Sequence, residues 1–177
     1  SIKSSIQFCI DKYRPKPEIK DKLETMLRNV EFAGRRLEEM VYYAHPIVLN
    51  FRPYSFSKFL NDVCILLKDK CKLAGIRIEK RYEDILPEVS MDRNALEKAL
   101  LNICVNAIES MPEGGDLIME SYPDGDYIIL NVIDTGCGMS EEVIERVFDP
   151  FFTMKKGAVG LGLNSAQRII RSHKGEI

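Results

Sequence analysis

The chain has 177 residues, 45% of them hydrophobic and 29% charged, with a formal net charge of -2. That length holds one full domain, or one plus a smaller helical piece, and the composition is ordinary for a globular protein. It leaves no basic footprint for nucleic acid, no apolar run of the roughly 18–20 residues that span a bilayer, and no apolar centre in residues 1–10 for a signal peptide.

Residues 2–13 read as the end of a helix, with Ile2, Ile6, Cys9 and Ile10 on one stripe, broken by Arg14-Pro15-Lys16-Pro17. A long helix is expected over 18–44. Its Leu23, Leu27, Val30, Gly34, Leu37, Val41 and Ala44 alternate steps of four and three, a heptad seam. Such a hairpin cannot bury both faces alone. It reads as half of a four-helix bundle completed by a second copy, the alternative being a helix packed on the downstream domain. Pro46 and Pro53 bracket an expected linker over 46–55, dividing the chain into 1–50 and 51–177. His45 at that boundary reads as a helix-end dipole partner rather than a catalytic group.

Residues 56–73 predict an amphipathic helix with Phe59, Leu60, Val63, Leu66, Leu67 and Cys71 as its apolar face and Gly75 at its end. Residues 76–82 alternate as a strand, 87–90 suggest a short second one, and Asp92 is placed to cap a helix over 93–111. On that helix Leu96, Leu100, Ile103 and Ala107 make a core stripe. Asn102 and Asn106 lie four apart on its edge, where ligand contacts explain two asparagines better than packing does; bonding to a neighbouring loop is the alternative. Two strands, 117–122 and 127–133, joined at Pro123-Asp124-Gly125-Asp126, deliver Asp134 to a strand end. There a carboxylate can accept from a ring amino group, and Gly136 and Gly138 let the backbone pass close to a flat ligand.

A short helix over 141–147, capped by Ser140, precedes Phe148, Phe151 and Phe152, three aromatics that would anchor a loop whose other end carries Lys155-Lys156-Gly157. Gly160-Leu161-Gly162-Leu163 then opens a helix to about residue 173, and a glycine-rich helix start is an anion site. Leu163, Ala166, Ile169 and Ile170 are expected to pack that helix on a sheet, and 175–177 to enter another strand. Five cysteines, Cys9, Cys64, Cys71, Cys104 and Cys137, form no C-x-x-C pair, and with only His45 and His173 no zinc site is expected. Reduced thiols and a cytoplasmic location follow as expectations. Cys137 reads as a small filler, an accessible thiol being the alternative.

These segments resemble the ATP-binding domain of sensor histidine kinases, whose fold is shared with gyrase, Hsp90 and MutL. Asn102-x-x-x-Asn106 is similar to the N box, Asp134-x-Gly136-x-Gly138 to the G1 box, 148–152 to the F box, and Gly160-Leu161-Gly162-Leu163 to the G2 box. The resemblance spans about residues 56–177, and the hairpin before it looks like the dimerisation and phosphotransfer module. The wording Asn106-Ala107-Ile108-Glu109-Ser110-Met111 looks most like kinases of the nitrogen-regulation type.

The resemblance implies an α+β chain: a helical hairpin forming a dimeric four-helix bundle, then an α/β sandwich of the Bergerat type with a mixed sheet covered by helices. It implies Mg²⁺ bound at Asn106 and adenine at Asp134, with Gly136, Gly138 and Met139 shaping its wall. Phe148 and Phe152 would belong to a hinged lid, Lys155 or Lys156 would reach the phosphates, and Gly160, Leu161, Gly162 and Leu163 would hold them. The implied activity is transfer of the γ-phosphoryl of ATP to a histidine, for relay to a response-regulator receiver domain. Positioning and charge neutralisation carry such a reaction. The ATPase members carry a glutamate where Asn102 stands; Asn102 cannot take a proton, which favours phosphotransfer, although Glu97 one turn earlier could act as a base. No residue matches the family's phosphoacceptor box, so the histidine is expected upstream and this fragment is not expected to label itself. The usual first glycine of the last box falls on Ala158. The alternatives are a nucleotide-binding dimeric scaffold without kinase activity, and an ATP-hydrolysing relative of gyrase.

Overall fold

The computed structural model describes every residue except Arg14, Pro15, His45, Pro46, Asp84 and Lys156, with the backbone alone for Arg35, Arg36 and residues 38–44. The expectations on His45 and Lys156, and on the side chains of Val41 and Ala44, lie outside the described residues. The chain divides into two compact units, Ser1–Pro46 and Ile47–Ile177.

The first unit is two helices, α1 (Ile2–Tyr13) and α2 (Pro17–Ala44). On the seam Leu23, Leu27, Val30 and Gly34 are half-buried, while Leu37 is exposed. No residue of α1 is buried, and Phe8, Ile19, Met26 and Phe32 stand exposed. Two helices enclose no volume, so each buries one narrow stripe and leaves the rest bare.

The second unit is an α+β sandwich. In chain order it holds β1 (Arg52–Ser55), α3 (Phe56–Leu73), β2 (Ile76–Arg81), β3 (Glu88–Met91), α4 (Arg93–Glu109), β4 (Gly115–Asp124), β5 (Tyr127–Asp134), α5 (Glu141–Arg146) and α6 (Gly162–Ser172). β2, β4 and β5 form a mixed sheet, β2 parallel and β5 antiparallel to β4. Its inner face presents Leu117 and Met119, fully buried against Leu60, Val63 and Leu67 of α3 and Leu100, Cys104 and Ile108 of α4. Burial pushes the Cys104 thiol up to about 12, so it packs as an inert apolar group.

Four expectations need correction. The supposed linker contains β1, which pairs antiparallel with β3; Pro53 is tolerated because a two-stranded ribbon leaves one side of each strand unpaired. Leu66 is exposed, because the buried stripe of α3 runs through Phe59, Leu60, Val63 and Leu67, and Leu66 lies about 100° around the helix from Leu67. α6 packs on α4 rather than on the sheet: Ala99 and Ala166 are small enough for close approach, and Ile169 fills the seam beside Leu96 and Ile103. α4 therefore buries two faces. Finally, 175–177 are not a strand: Lys174 takes a φ of 63° and the N–H of Gly175 returns to the carbonyl of Ile170, a turn that caps α6.

The start of α4 is held by Asp92. Its Oδ1 accepts from Ala95 N at 3.0 Å and its Oδ2 from Asn50 N at 2.8 Å. Its own N–H donates to His173 Nε2 at 3.0 Å, while His173 Nδ1 lies 2.8 Å from the carbonyl of Ile169. A carbonyl only accepts, so Nδ1 carries the proton and the ring is neutral. The N–H groups of Asn50, then Ala95, hold the Asp92 carboxyl below its ordinary 3.8. A depressed folded value contributes stability above 3.8 that is lost as pH falls through the folded value. Asp92→Ala is expected to lower the unfolding free energy by about 1–2 kcal/mol near pH 7. In urea titrations the gap from the unmodified chain should close as the solution is acidified below 3.8.

Candidate functional site

The site is organised along one edge of α4. Asn102, Asn106 and Ser110 follow one another at steps of four, so their side chains stack on one side. Each meets a different loop. Asn102 Nδ2 donates to the carbonyl of Gly162 at 3.1 Å. Asn106 Oδ1 accepts from Lys155 Nζ at 2.7 Å, and the same ammonium donates to Glu109 Oε2 at 2.6 Å. Ser110 Oγ lies 2.9 Å from Asp134 Oδ1 and 2.7 Å from the carbonyl of Ala107, its single proton shared between two acceptors.

Sheet register explains where Asp134 points. Leu117 on β4 faces Asp134 on β5, and directly opposed residues share a face. Ile128, Leu130 and Val132 supply the preceding inward positions, each packed on the core. Asp134 is the next, but there α4 has ended, so the carboxylate meets Ser110 and open solvent instead of apolar side chains. Its Oδ1 also accepts from Gly136 N at 2.9 Å. The loop is stitched down twice more: Cys137 N donates to Ser110 O at 3.2 Å, and Thr135 Oγ1 accepts from Asp116 N at 3.0 Å. A Cβ on Gly136 would collide with Ser110 Oγ and lie 2.7 Å from Ser110 O, so only glycine fits. Gly138, with a φ of 68°, and Met139 lie exposed beyond it.

The aromatic segment, residues 148–152, is tied to the glycine segment through backbone. Phe151, with a φ of 67°, donates its N–H to the carbonyl of Gly160 at 3.0 Å. Gly160 has a φ of 75°, and a Cβ there would lie 2.5 Å from Phe152 O. Phe148 and Phe152 are half-buried, Phe152 beneath the Arg146 guanidinium at 4.5 Å, whereas Phe151 is exposed. Leu161 is buried, Leu163 half-buried, and α6 begins at Gly162 with no side-chain cap, leaving its first-turn N–H groups for an anion. Asn164, buried, donates to Phe148 O at 2.6 Å and ties this turn to the aromatic segment.

Asn102, Asn106, Asp134, Lys155 and the two glycine segments are thus brought to one edge of α4; Glu97 is not. It lies five residues before Asn102, about 140° around the helix, and pairs with Arg93 at 3.0 Å, which also holds Asp62. Ser110, Glu109 and Asn164 escaped sequence reasoning. Continuing the step of four from Asn102 and Asn106 would have reached Ser110. Glu109 and Asn164 do not fall on that step of four, and Lys155 and Phe148 reach them from other segments.

Residues 91–177 match the family described as histidine kinase-, DNA gyrase B-, and HSP90-like ATPase. Sporulation kinase C of Bacillus subtilis is 28% identical over 178 residues, covering 100% of this chain and 41% of that protein. The chain spans less than half the length of the curated relatives it matches. A crystal structure of full-length ShkA in complex with AMPPNP shares the fold, with a TM-score of 0.80 at 20% identity over 97% of this chain and 37% of that one. Histidine kinase ThkA in complex with response regulator protein TrrA aligns with a TM-score of 0.70 at 25% identity, over 98% of this chain and 51% of that one. No helix among the described residues is long and apolar enough to cross a membrane.

Proposed function

The chain belongs to the sensor histidine kinases and carries their ATP-binding domain, and from that premise we propose that it binds Mg-ATP and transfers the γ-phosphoryl to a histidine upstream of residues 1–177, for relay to a response-regulator receiver domain. The observation that carries this reading is the edge of α4, from which Asn102, Asn106 and Ser110 each reach a different loop of one site.

Asp134 accepts the adenine amino group, with Gly136, Gly138 and Met139 as the wall beside it. Phe148 to Gly157 forms the lid, with Lys155 or Lys156 reaching the phosphates. The N–H groups at Gly160, Leu161, Gly162 and Leu163 receive the phosphate oxygens. Asn106 fits a magnesium ion: its Oδ1 already receives a cation, the Lys155 ammonium, and an amide oxygen completed by phosphates and water suits that metal. Bound there, the metal would neutralise phosphate charge.

Two contacts favour phosphotransfer over hydrolysis. Asn102 spends its amide on Gly162, and Glu97 is paired with Arg93, which leaves neither placed to deprotonate water. His173 is unsuited as acceptor, since both ring nitrogens are engaged. The half-buried seam of α2 supports homodimerisation through the N-terminal helices, and the ThkA–TrrA complex supports a receiver domain as partner.

The test is titration of a fluorescent ATP analogue with and without Mg²⁺. Asn106→Ala is expected to weaken the Mg²⁺-dependent binding by about tenfold or more, because it removes the oxygen that would hold the metal; unimpaired binding would sink the reading. Radiolabel from γ-labelled ATP should appear on the longer protein, whereas steady phosphate release without labelling would favour the ATPase.

A further inference from the structure

The lid lysine occupies a place built for a cation. Asn106 and Glu109 lie three residues apart on α4, so both side chains reach the same point beyond the helix. There Lys155, 46 residues beyond Glu109 in sequence, inserts its ammonium between Asn106 Oδ1 at 2.7 Å and Glu109 Oε2 at 2.6 Å. One oxygen is an amide, the other a carboxylate, and hard oxygens of this kind serve an ammonium and a small divalent cation alike.

We propose that Asn106 and Glu109 together form the cation site of this domain, that Lys155 is its occupant in the nucleotide-free chain, and that the divalent cation arriving with nucleotide competes with Lys155 for both oxygens. This rests on the nucleotide-binding reading above and adds Glu109 to the site. Three consequences follow from the geometry. Lys155 holds the lid over α4 before any ligand is present. Once Asn106 and Glu109 take the metal, the ammonium is released and free to reach the phosphates. The two events are coupled because one point beyond α4 accommodates one cation at a time. Both Lys155 and Glu109 are about half exposed, so the ion pair is worth little and exchange is easy.

The experiment titrates Mg²⁺ at fixed fluorescent ATP analogue and reads the half-saturating Mg²⁺ concentration, with Mn²⁺ relaxation enhancement as a direct report of bound metal. Lys155→Met removes the competitor and is expected to lower the midpoint about two- to fivefold. Glu109→Gln removes an oxygen charge and is expected to raise it about threefold or more, in the Lys155→Met background as well. A Lys155→Met midpoint that stays put or rises would overturn the competition. A Glu109→Gln effect that vanishes in the Lys155→Met background would show that Glu109 acts only on the lysine, and would overturn the shared cation site. Failure of the unmodified chain to bind the analogue at all would count against the nucleotide reading instead.

Discussion

Asp134→Asn is expected to weaken ATP binding by about 10- to 100-fold while leaving the fold intact. The carboxylate sits where the inward pattern of β5 runs past the end of α4, so it is aimed by the sheet yet open to solvent. Asparagine keeps Oδ1 and with it the bonds to Gly136 N and Ser110 Oγ. It replaces the outward oxygen with an N–H donor that would face the adenine amino group, another donor. Losing a charged acceptor at a pairing of this kind costs about 1.5–3 kcal/mol. Calorimetric titration with ATP and with inosine triphosphate, which lacks the amino group, checks the cause. The variant should lose affinity for ATP far more than for the inosine nucleotide; equal losses would mean that Asp134 does not read the amino group.

Gly136→Ala is expected to reduce nucleotide binding by about 100-fold or more, with helix content by circular dichroism retained. The new methyl group would collide with Ser110 Oγ and lie 2.7 Å from Ser110 O. α4 cannot retreat, because Ala107, Ile108 and Met111 around that point are buried in the core. The loop must move instead, giving up the Cys137 N–H bond to Ser110 O and the aim of Asp134. Overpacking of this kind costs about 1–3 kcal/mol, so the melting temperature should fall by several degrees. Adding Ser110→Gly removes the nearest atom but not the carbonyl, so binding should recover only in part. Full binding by Gly136→Ala alone would show that the loop is not clamped as described.

Much of the fold was legible because its signals are local. The Asp92 cap, the stripe of α3 and the hairpin of β4 and β5 are each decided within a few residues, by a side chain reaching its own helix start or by alternation along a strand. Leu66 and the packing of α6 were misread for one reason: periodicity shows that a face is apolar but does not say what covers it. The linker was misread because two prolines outweighed four residues that β3 recruits into pairing.

By itself, the sequence determined the order of the motifs, the family they belong to and the chemistry each residue type can offer, since these depend on composition and spacing alone. Only the tertiary structure decided the contacts among them. Register aimed Asp134 at Ser110, the end of α4 made Gly136 obligatory, and the segment after Phe152 brought Lys155 back across 46 residues to Glu109. Contacts of that range depend on where separate elements come to rest when the core closes, and no local pattern encodes them.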